Sequence, residues 1–215
     1  MLSSLSVLAL GFLLGMRHAT DADHVVAVTT IVSHQGSVAR AAGVGALWGA
    51  GHTVTILLVG GAILLFRVAV PARLGLAMEF AVAVMLVLLG VRNLRLAGGG
   101  SGAAHLAPVR PLVVGFVHGL AGSAFVAMLV LTAIPNPIVG LVYLLVFGVG
   151  TVAGMTVVTA AIAVPSAYAA SRVSGAQRYL QLAAGVASVC VGLFLAHRVG
   201  VVDGLFAATP HWTPQ

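Results

Sequence analysis

Residues 17 to 24 read RHATDADH, placing an arginine, two aspartates and two histidines within eight positions of a chain only 7% charged. Imidazole offers a neutral nitrogen donor and carboxylate an anionic oxygen. That mixture suits borderline divalent ions such as Ni²⁺, Co²⁺ and Zn²⁺ better than the all-oxygen sets of Mg²⁺ or Ca²⁺, and it lacks the sulfur that Cu⁺ prefers. On a continuous helix, at about 100° per residue, Arg17, His18, Asp21 and His24 share an arc of about 120°, while Asp23 points elsewhere. Arg17 lies four residues before Asp21, a spacing at which an ion pair could hold that carboxylate without the arginine touching an ion. With neutral histidines the cluster keeps one net negative charge, which favours a dication, and metal entry would displace protons from any charged imidazole.

His52, in WGAGHTVT, is the fifth candidate ligand beside His18, Asp21, Asp23 and His24. Its small neighbours Gly49, Ala50 and Gly51 let another helix come close, so the imidazole can project into a helix interface. His118 is a further candidate from its place in an internal repeat described below. Ser123 and Thr151 could add hydroxyls, although such residues more often bond backbone within helices. Glu79 could pair with Arg73 or gather cations at an entrance. His34, His105, His197 and His211 fall in joints or the tail and are expected to be solvated. A purely structural reading stays open, in which a buried Arg–Asp pair and hydrogen-bonded histidines only fasten helices together. Five such residues on one apolar span favour a functional site, because an ionisable group in hydrocarbon costs about 2.5 to 3.5 kcal/mol even on the lenient insertion scale.

The elements that must position these groups are membrane helices. Of the 215 residues 60% are hydrophobic, and the mean hydropathy is +1.15, more than one soluble core could bury. The fold class is therefore all-α, a polytopic membrane protein. Six segments suffice to cross a hydrocarbon core of about 30 Å, which takes about 20 helical residues. They run approximately from 4 to 33, 40 to 66, 75 to 95, 111 to 133, 138 to 163 and 178 to 199. The first would reach about 45 Å as one helix, so it must tilt, break or extend beyond the bilayer. A break near Gly15 or Ala19 would free carbonyls toward an ion. Leu5 to Met16 could pass for a signal-peptide core, but no basic residue precedes it and apolar sequence resumes after His24, so the segment is expected to be retained.

The formal charge of +6 comes from ten arginines and no lysine, mostly at the ends of apolar runs, where they anchor spans rather than bind nucleic acid. Arg40, Arg92, Arg95, Arg110, Arg172 and Arg178 flank the odd loops, against Arg67, Arg73 and Arg198 on the other side. The majority places the odd loops in the cytoplasm of a multi-pass cell-membrane protein and both termini outside. A lone cysteine, Cys190, excludes an internal disulfide framework and reads as a small core residue.

The halves echo each other about 100 residues apart: LGMRHATDADHVVAVTTIV beside VGFVHGLAGSAFVAMLVLT sets His18 against His118, and WGAGHTVTILLVGGAI beside FGVGTVAGMTVVTAAI sets Gly49 and Gly51 against Gly148 and Gly150. Three spans per half require opposite orientations, a 3+3 inverted repeat, an arrangement that in transporters brings the site to the midplane between repeats. The match of the third and sixth spans is poor. Residues 1–215 then form a single transmembrane domain, with repeat one over about 1–96, a Gly-rich loop over 97–110, repeat two over about 111–200 and a tail over 201–215. GVGTVAG at 148–154 superficially suggests a nucleotide loop, but inside an apolar helix such glycines mean close packing.

RHATDADH contains H-x-x-x-x-D-H as His18, Asp23 and His24, and with GHT at Gly51 to Thr53 the chain resembles the nickel/cobalt transporter (NiCoT) family. The two motifs cover the first two spans, about a third of the chain. The resemblance implies that His18, Asp23 and His24 are required for transport, that His52 assists, and that Ni²⁺ or Co²⁺ moves into the cell. It also requires that the helix distort at the motif or that His18 and Asp23 meet the ion from different directions. Longer members have eight spans and later acidic motifs such as FDTATE. This chain has six and HGLAGSA instead, and so is similar to the shorter six-helix relatives known as nickel permeases or urease-accessory membrane proteins.

The function expected is a secondary carrier of divalent transition-metal ions, Ni²⁺ or Co²⁺ uptake above all, and not an enzyme; an intramembrane metallohydrolase would need a groove and a further acid that the sequence does not offer. A Ni²⁺/Co²⁺ exporter is the nearest alternative, though the third loop has only His105 to collect metal. A non-transporting membrane subunit delivering metal to an enzyme-maturation or ATP-driven complex is another. No resident cofactor is expected, the metal being substrate. The partners expected are the transition-metal dication and the lipid bilayer, with a second copy of the chain or nickel-enzyme accessory proteins as further candidates.

Overall fold

A computed structural model describes residues 4–33, 37–66, 70–99, 109–120, 134, 136–173 and 175–212. Those residues form seven helices and no strand: α1 (Ser4–His18), α2 (Ala22–Val32), α3 (Val38–Phe66), α4 (Ala72–Ala97), α5 (Val109–His118), α6 (Pro137–Arg172) and α7 (Ala176–His197), the last continuing into a π-helical turn at Arg198–Val202. By length and composition α3, α4, α6 and α7 with its π turn are each apolar and long enough to cross a membrane. Exposed Leu58, Leu88, Val149, Leu193 and Phe194 on their outer faces fit a lipid surroundings. This is a membrane protein.

The first long apolar segment is broken. Thr20 donates through both its backbone N–H (2.8 Å) and its hydroxyl (2.6 Å) to the Arg17 carbonyl, closing α1. Asp21 then takes extended backbone (φ −61°, ψ 146°) as the N-cap of α2, and Asp23 sits in the positive first turn of α2. Thr and Asp compete with the helix for backbone hydrogen bonds, so the ATD triplet stops one helix and starts another. The break falls at 19–21, and the last two carbonyls of α1 are taken up locally, that of Arg17 by Thr20 and that of His18 by Asp21 N–H (3.1 Å).

Other differences have local causes. Pro165 does not end α6 near residue 163; the helix runs on to Arg172, losing one backbone donor at the proline but continuing through the Ala-rich sequence that follows. Asn136 caps its start, its side chain accepting from Ile138 N–H (2.9 Å) ahead of Pro137. Of the span expected over 111–133, α5 and residues 119–120 are described; the rest lies outside the described residues, as do His34, His105 and Ser123. Cys190 is exposed on α7, not in the core. His197 and His211 are exposed. Glu79 does not pair with Arg73: Trp212 donates to Glu79 (2.8 Å), while Arg73 donates to the Ala207 and Ala208 carbonyls (3.3 Å each), pinning residues 203–212 against the start of α4.

α6 packs along α1 and α3, α3 also along α5, and α4 along α7, with α2 wedged among α4, α6 and α7. Glycines set the approach. A side chain at Gly15 would run into the Phe147 carbonyl, and one at Gly150 into that of Phe12, joining α1 to α6. Likewise Gly115 abuts the Trp48 carbonyl and Gly51 that of Leu112, joining α5 to α3. Between α3 and α6, Gly49 meets Val152 and Gly148 meets Thr53. Polar ties finish the packing: Ser188 donates to the Leu86 carbonyl (2.7 Å) and Asn93 to that of Gln181 (2.9 Å).

Gly15→Val and Gly115→Val should each cost about 1–3 kcal/mol by forcing the helices apart. Gly43, with nothing within 4 Å of an added Cβ, should accept alanine without loss. Thermal melting of detergent-purified variants checks the contrast; equal melting of all three would refute the close-approach account.

Candidate metal site

Four histidines from four helices meet in the interior. His18 is the last residue of α1, His24 lies in the first turn of α2, His52 is mid-α3 and His118 ends α5. All four are buried. Ring centroids lie 4.5 Å apart for His18–His24, 4.9 Å for His18–His52, 5.1 Å for His24–His52 and 4.1 Å for His24–His118. The close packing of α5 against α3 brings His118 here, whereas the α1–α2 break turns His18 and His24 toward one another.

The aspartates hold the rings. Asp21 Oδ2 lies 2.8 Å from His18 Nδ1, and Asp23 Oδ1 lies 3.0 Å from His24 Nδ1 and 2.9 Å from the His24 backbone N–H. The other Asp23 oxygen, Oδ2, lies 2.9 Å from His118 Nε2. Asp23 therefore joins rings on α2 and α5, an arrangement a continuous helix could not give, and the single-face wheel that set Asp23 aside does not hold across the break. Arg17 is exposed, and the partner of Asp21 is His18 rather than Arg17. The Asp21 side chain is 43% exposed and that of Asp23 19%, so the cluster opens toward Asp21.

Ionised carboxylates accept only, which assigns the tautomers. His18 Nδ1–H, His24 Nδ1–H and His118 Nε2–H donate to them. His18 Nε2 is then an acceptor and receives His52 Nε2–H across 2.9 Å. Among the described residues, three buried histidine nitrogens remain without a hydrogen-bond partner: His24 Nε2, His52 Nδ1 and His118 Nδ1. Each is a bare lone pair in this tautomer set. The three imidazoles thus lack a positive partner, while the indole N–H of Trp48 beside them lacks an acceptor. One ligand atom from each of His18, His24 and His52 lies within 4.8 Å of the others, and the same holds for Asp23, His24 and His118. The 2.9 Å between His18 Nε2 and His52 Nε2 also matches two ligands at right angles around a metal with nitrogen bonds of about 2.0–2.1 Å.

Trp48, one turn before His52, escapes a reading of ionisable groups. Its ring stacks on His24 (5.9 Å between centroids, 12° between planes) and meets His118 edge-on (5.4 Å, 70°), walling the pocket with an apolar plane. Its i, i−4 spacing from His52 is the signal that could have found it. Thr151 donates to the Phe147 carbonyl within α6 (3.0 Å), and so is occupied with backbone.

Removing Asp23 should leave two ring N–H groups and one backbone N–H without acceptors, each at a cost of about 1–3 kcal/mol. Asp21 holds one ring and is half exposed. Asp23→Ala should therefore lower the melting temperature clearly more than Asp21→Ala, and the reverse order would overturn this account of the hydrogen bonds.

No family model and no solved structure matches the chain. Among curated proteins it is 33% identical over 218 residues to the urease accessory protein UreH of Bacillus sp. (strain TB-90), covering 94% of this chain and 95% of that protein.

Proposed function

The chain belongs to the family of the urease accessory protein UreH, and from that premise and the buried histidine cluster we propose that it is a membrane carrier for divalent transition-metal ions, taking Ni²⁺, or Co²⁺, into the cell. The observation that carries the reading is the set of three buried imidazole lone pairs with no donor, framed by two carboxylates. The resemblance to the nickel/cobalt transporters supplies the metal. In this reading His18, His24 and His52 furnish nitrogen ligands, while Asp21 and Asp23 hold the rings and supply negative charge; each oxygen could also swing onto the ion. Carboxylates behind metal-bound histidines raise their basicity and fix their orientation. Arg17 acts only through the field at the opening.

The carrier comprises six spans as a 3+3 inverted repeat, α1–α2 forming one broken span and α5 opening its counterpart. What supports this is the pairing of contacts. Gly15 on Phe147 and Gly115 on Trp48 involve residues 100 and 99 positions apart, and Gly150 on Phe12 and Gly51 on Leu112 repeat the same offsets. Gly49 on Val152 and Gly148 on Thr53 mirror each other within the α3–α6 pair, the two glycines and the two residues they meet each lying 99 positions apart. Rocking of one half against the other would then expose the midplane site to each side in turn. With odd loops in the cytoplasm and both termini outside, an inward dication gains about 4.6 kcal/mol from 100 mV, twice the single-charge value, with no resident cofactor required.

Cells expressing the chain should accumulate radioactive nickel, and His18→Ala, His52→Ala and Asp23→Asn should each cut uptake by about tenfold or more at equal membrane abundance. Undiminished uptake in the variants would sink the assignment. The relative's name favours a second reading, a membrane subunit that passes metal to nickel-enzyme accessory proteins without transporting it alone. Purified protein in liposomes separates the two: nickel flux without a partner supports a carrier, and none supports the subunit.

A further inference from the structure

The two ligand groups share a residue. His18, His24 and His52 form one, and Asp23, His24 and His118 the other. We infer that they are two successive stops for the same ion, with the His24 ring as the wall between them and His118 as the ligand that completes the second. The inference rests on the carrier reading above.

His24 has the chemistry for this place. Its Nδ1 faces Asp23 at 3.0 Å, and its Nε2 is buried with no partner. The two nitrogens leave an imidazole in different directions, so a ring held by its neighbours can offer one to each compartment. Trp48 stacks on one face of it and the His118 ring sits 4.1 Å away, which limits its freedom to turn. In the first group His18 Nε2 and His52 Nε2 lie 2.9 Å apart, and an ion there takes the place of the proton between them, which passes to the bare His52 Nδ1. In the second, Asp23 presents Oδ1 to His24 and Oδ2 to His118 at 2.9 Å, so an ion entering there takes the place of the two ring protons on that carboxylate, which move to the bare opposite nitrogens, His24 Nε2 and His118 Nδ1.

The stops also differ in kind. The first is three neutral nitrogens, with Asp21 behind His18 and Asp23 behind His24. The second includes the carboxylate of Asp23 itself. The first lies by the end of α1 and the second by the end of α5, the matching helix of the other half. A single dication passes between them, because two at this separation would repel strongly in a low-dielectric interior. Conduction needs sites that hold an ion well enough to enter yet weakly enough to leave, and two adjoining partial sites meet that need better than one closed cage.

The test uses full-length protein in detergent and in liposomes, with Ni²⁺ for flux and Co²⁺ absorption to report ligands. His118→Ala and His118→Gln should still bind one metal with an affinity near that of the natural chain and an unchanged cobalt spectrum, while flux falls about tenfold or more. Glutamine can donate to Asp23 as His118 does, so its failure to restore flux marks a ligand and not a strut. His52→Ala should instead lose affinity. Flux restored by His118→Gln, flux unaltered in His118→Ala, or a loss of affinity in His118→Ala as large as in His52→Ala would each overturn the second stop. A natural chain that binds no metal would overturn this inference and the carrier reading together, whereas normal binding and flux with an indifferent His118 would remove the second stop alone.

Discussion

A carboxylate survives among buried rings only if both its oxygens find donors, and the whole interior is arranged around Asp23 meeting that condition. One oxygen takes the side chain and backbone of His24, and the other takes His118 from a different helix. An unpaired charge in such a place would cost several kcal/mol. Meeting that demand fixes tautomers in turn. Because the ring nitrogens facing the aspartates must carry the protons, the opposite nitrogens of neutral rings are bare. The unsatisfied lone pairs of His24 and His118 thus follow from the satisfaction of Asp23.

That arrangement depends on two features of the backbone. The break at residues 19–21 gives His18 and Asp23 independent directions, so that the first belongs to the end of α1 and the second to the start of α2. The close contacts at Gly15 and Gly115 then bring the ends of α1 and α5 deep against α6 and α3, within reach of the same pocket. A methyl group at either glycine would meet a carbonyl oxygen. Side-chain chemistry and helix spacing are here one constraint, since rings a few ångströms farther apart could share neither a carboxylate nor an ion.

Much of this was legible in the chain because polar residues in an apolar sequence are conspicuous. His18, Asp21, Asp23, His24 and His52 stand out by cost alone, and the glycines before His52 marked a face that another helix approaches closely. What was not legible needed three dimensions. A wheel drawn through 17–24 assumes an unbroken helix, so it misplaced Asp23 and offered Arg17 to Asp21, although the ATD triplet carried the means to break the helix. Cys190 was misread for a different reason. Lipid is as apolar as a protein core, and within a uniformly apolar helix the sequence does not say which face meets which. The fifth span, expected to stop near 163, runs on as α6 through Pro165 to Arg172. Trp48 lay outside a search confined to ionisable groups.

The sign of the pocket follows from the helix ends as well as from the aspartates. α1 and α5 both terminate at it with a histidine, and a helix C-terminus carries roughly half a negative charge. The N-terminus of α2 brings the opposite sign and is met by Asp23 in its first turn. The balance is negative and buried, as a dication requires. Yet the atoms that face one another in the first group are neutral imidazoles, and the carboxylates stand one atom shell behind them. An all-carboxylate cage would hold a dication more strongly and part with it more slowly. In the carrier reading, neutral donors in a negative surround would draw an ion in while leaving its final binding weak enough to exchange, and that separation of field from ligand would make the pocket a place of passage and not of storage.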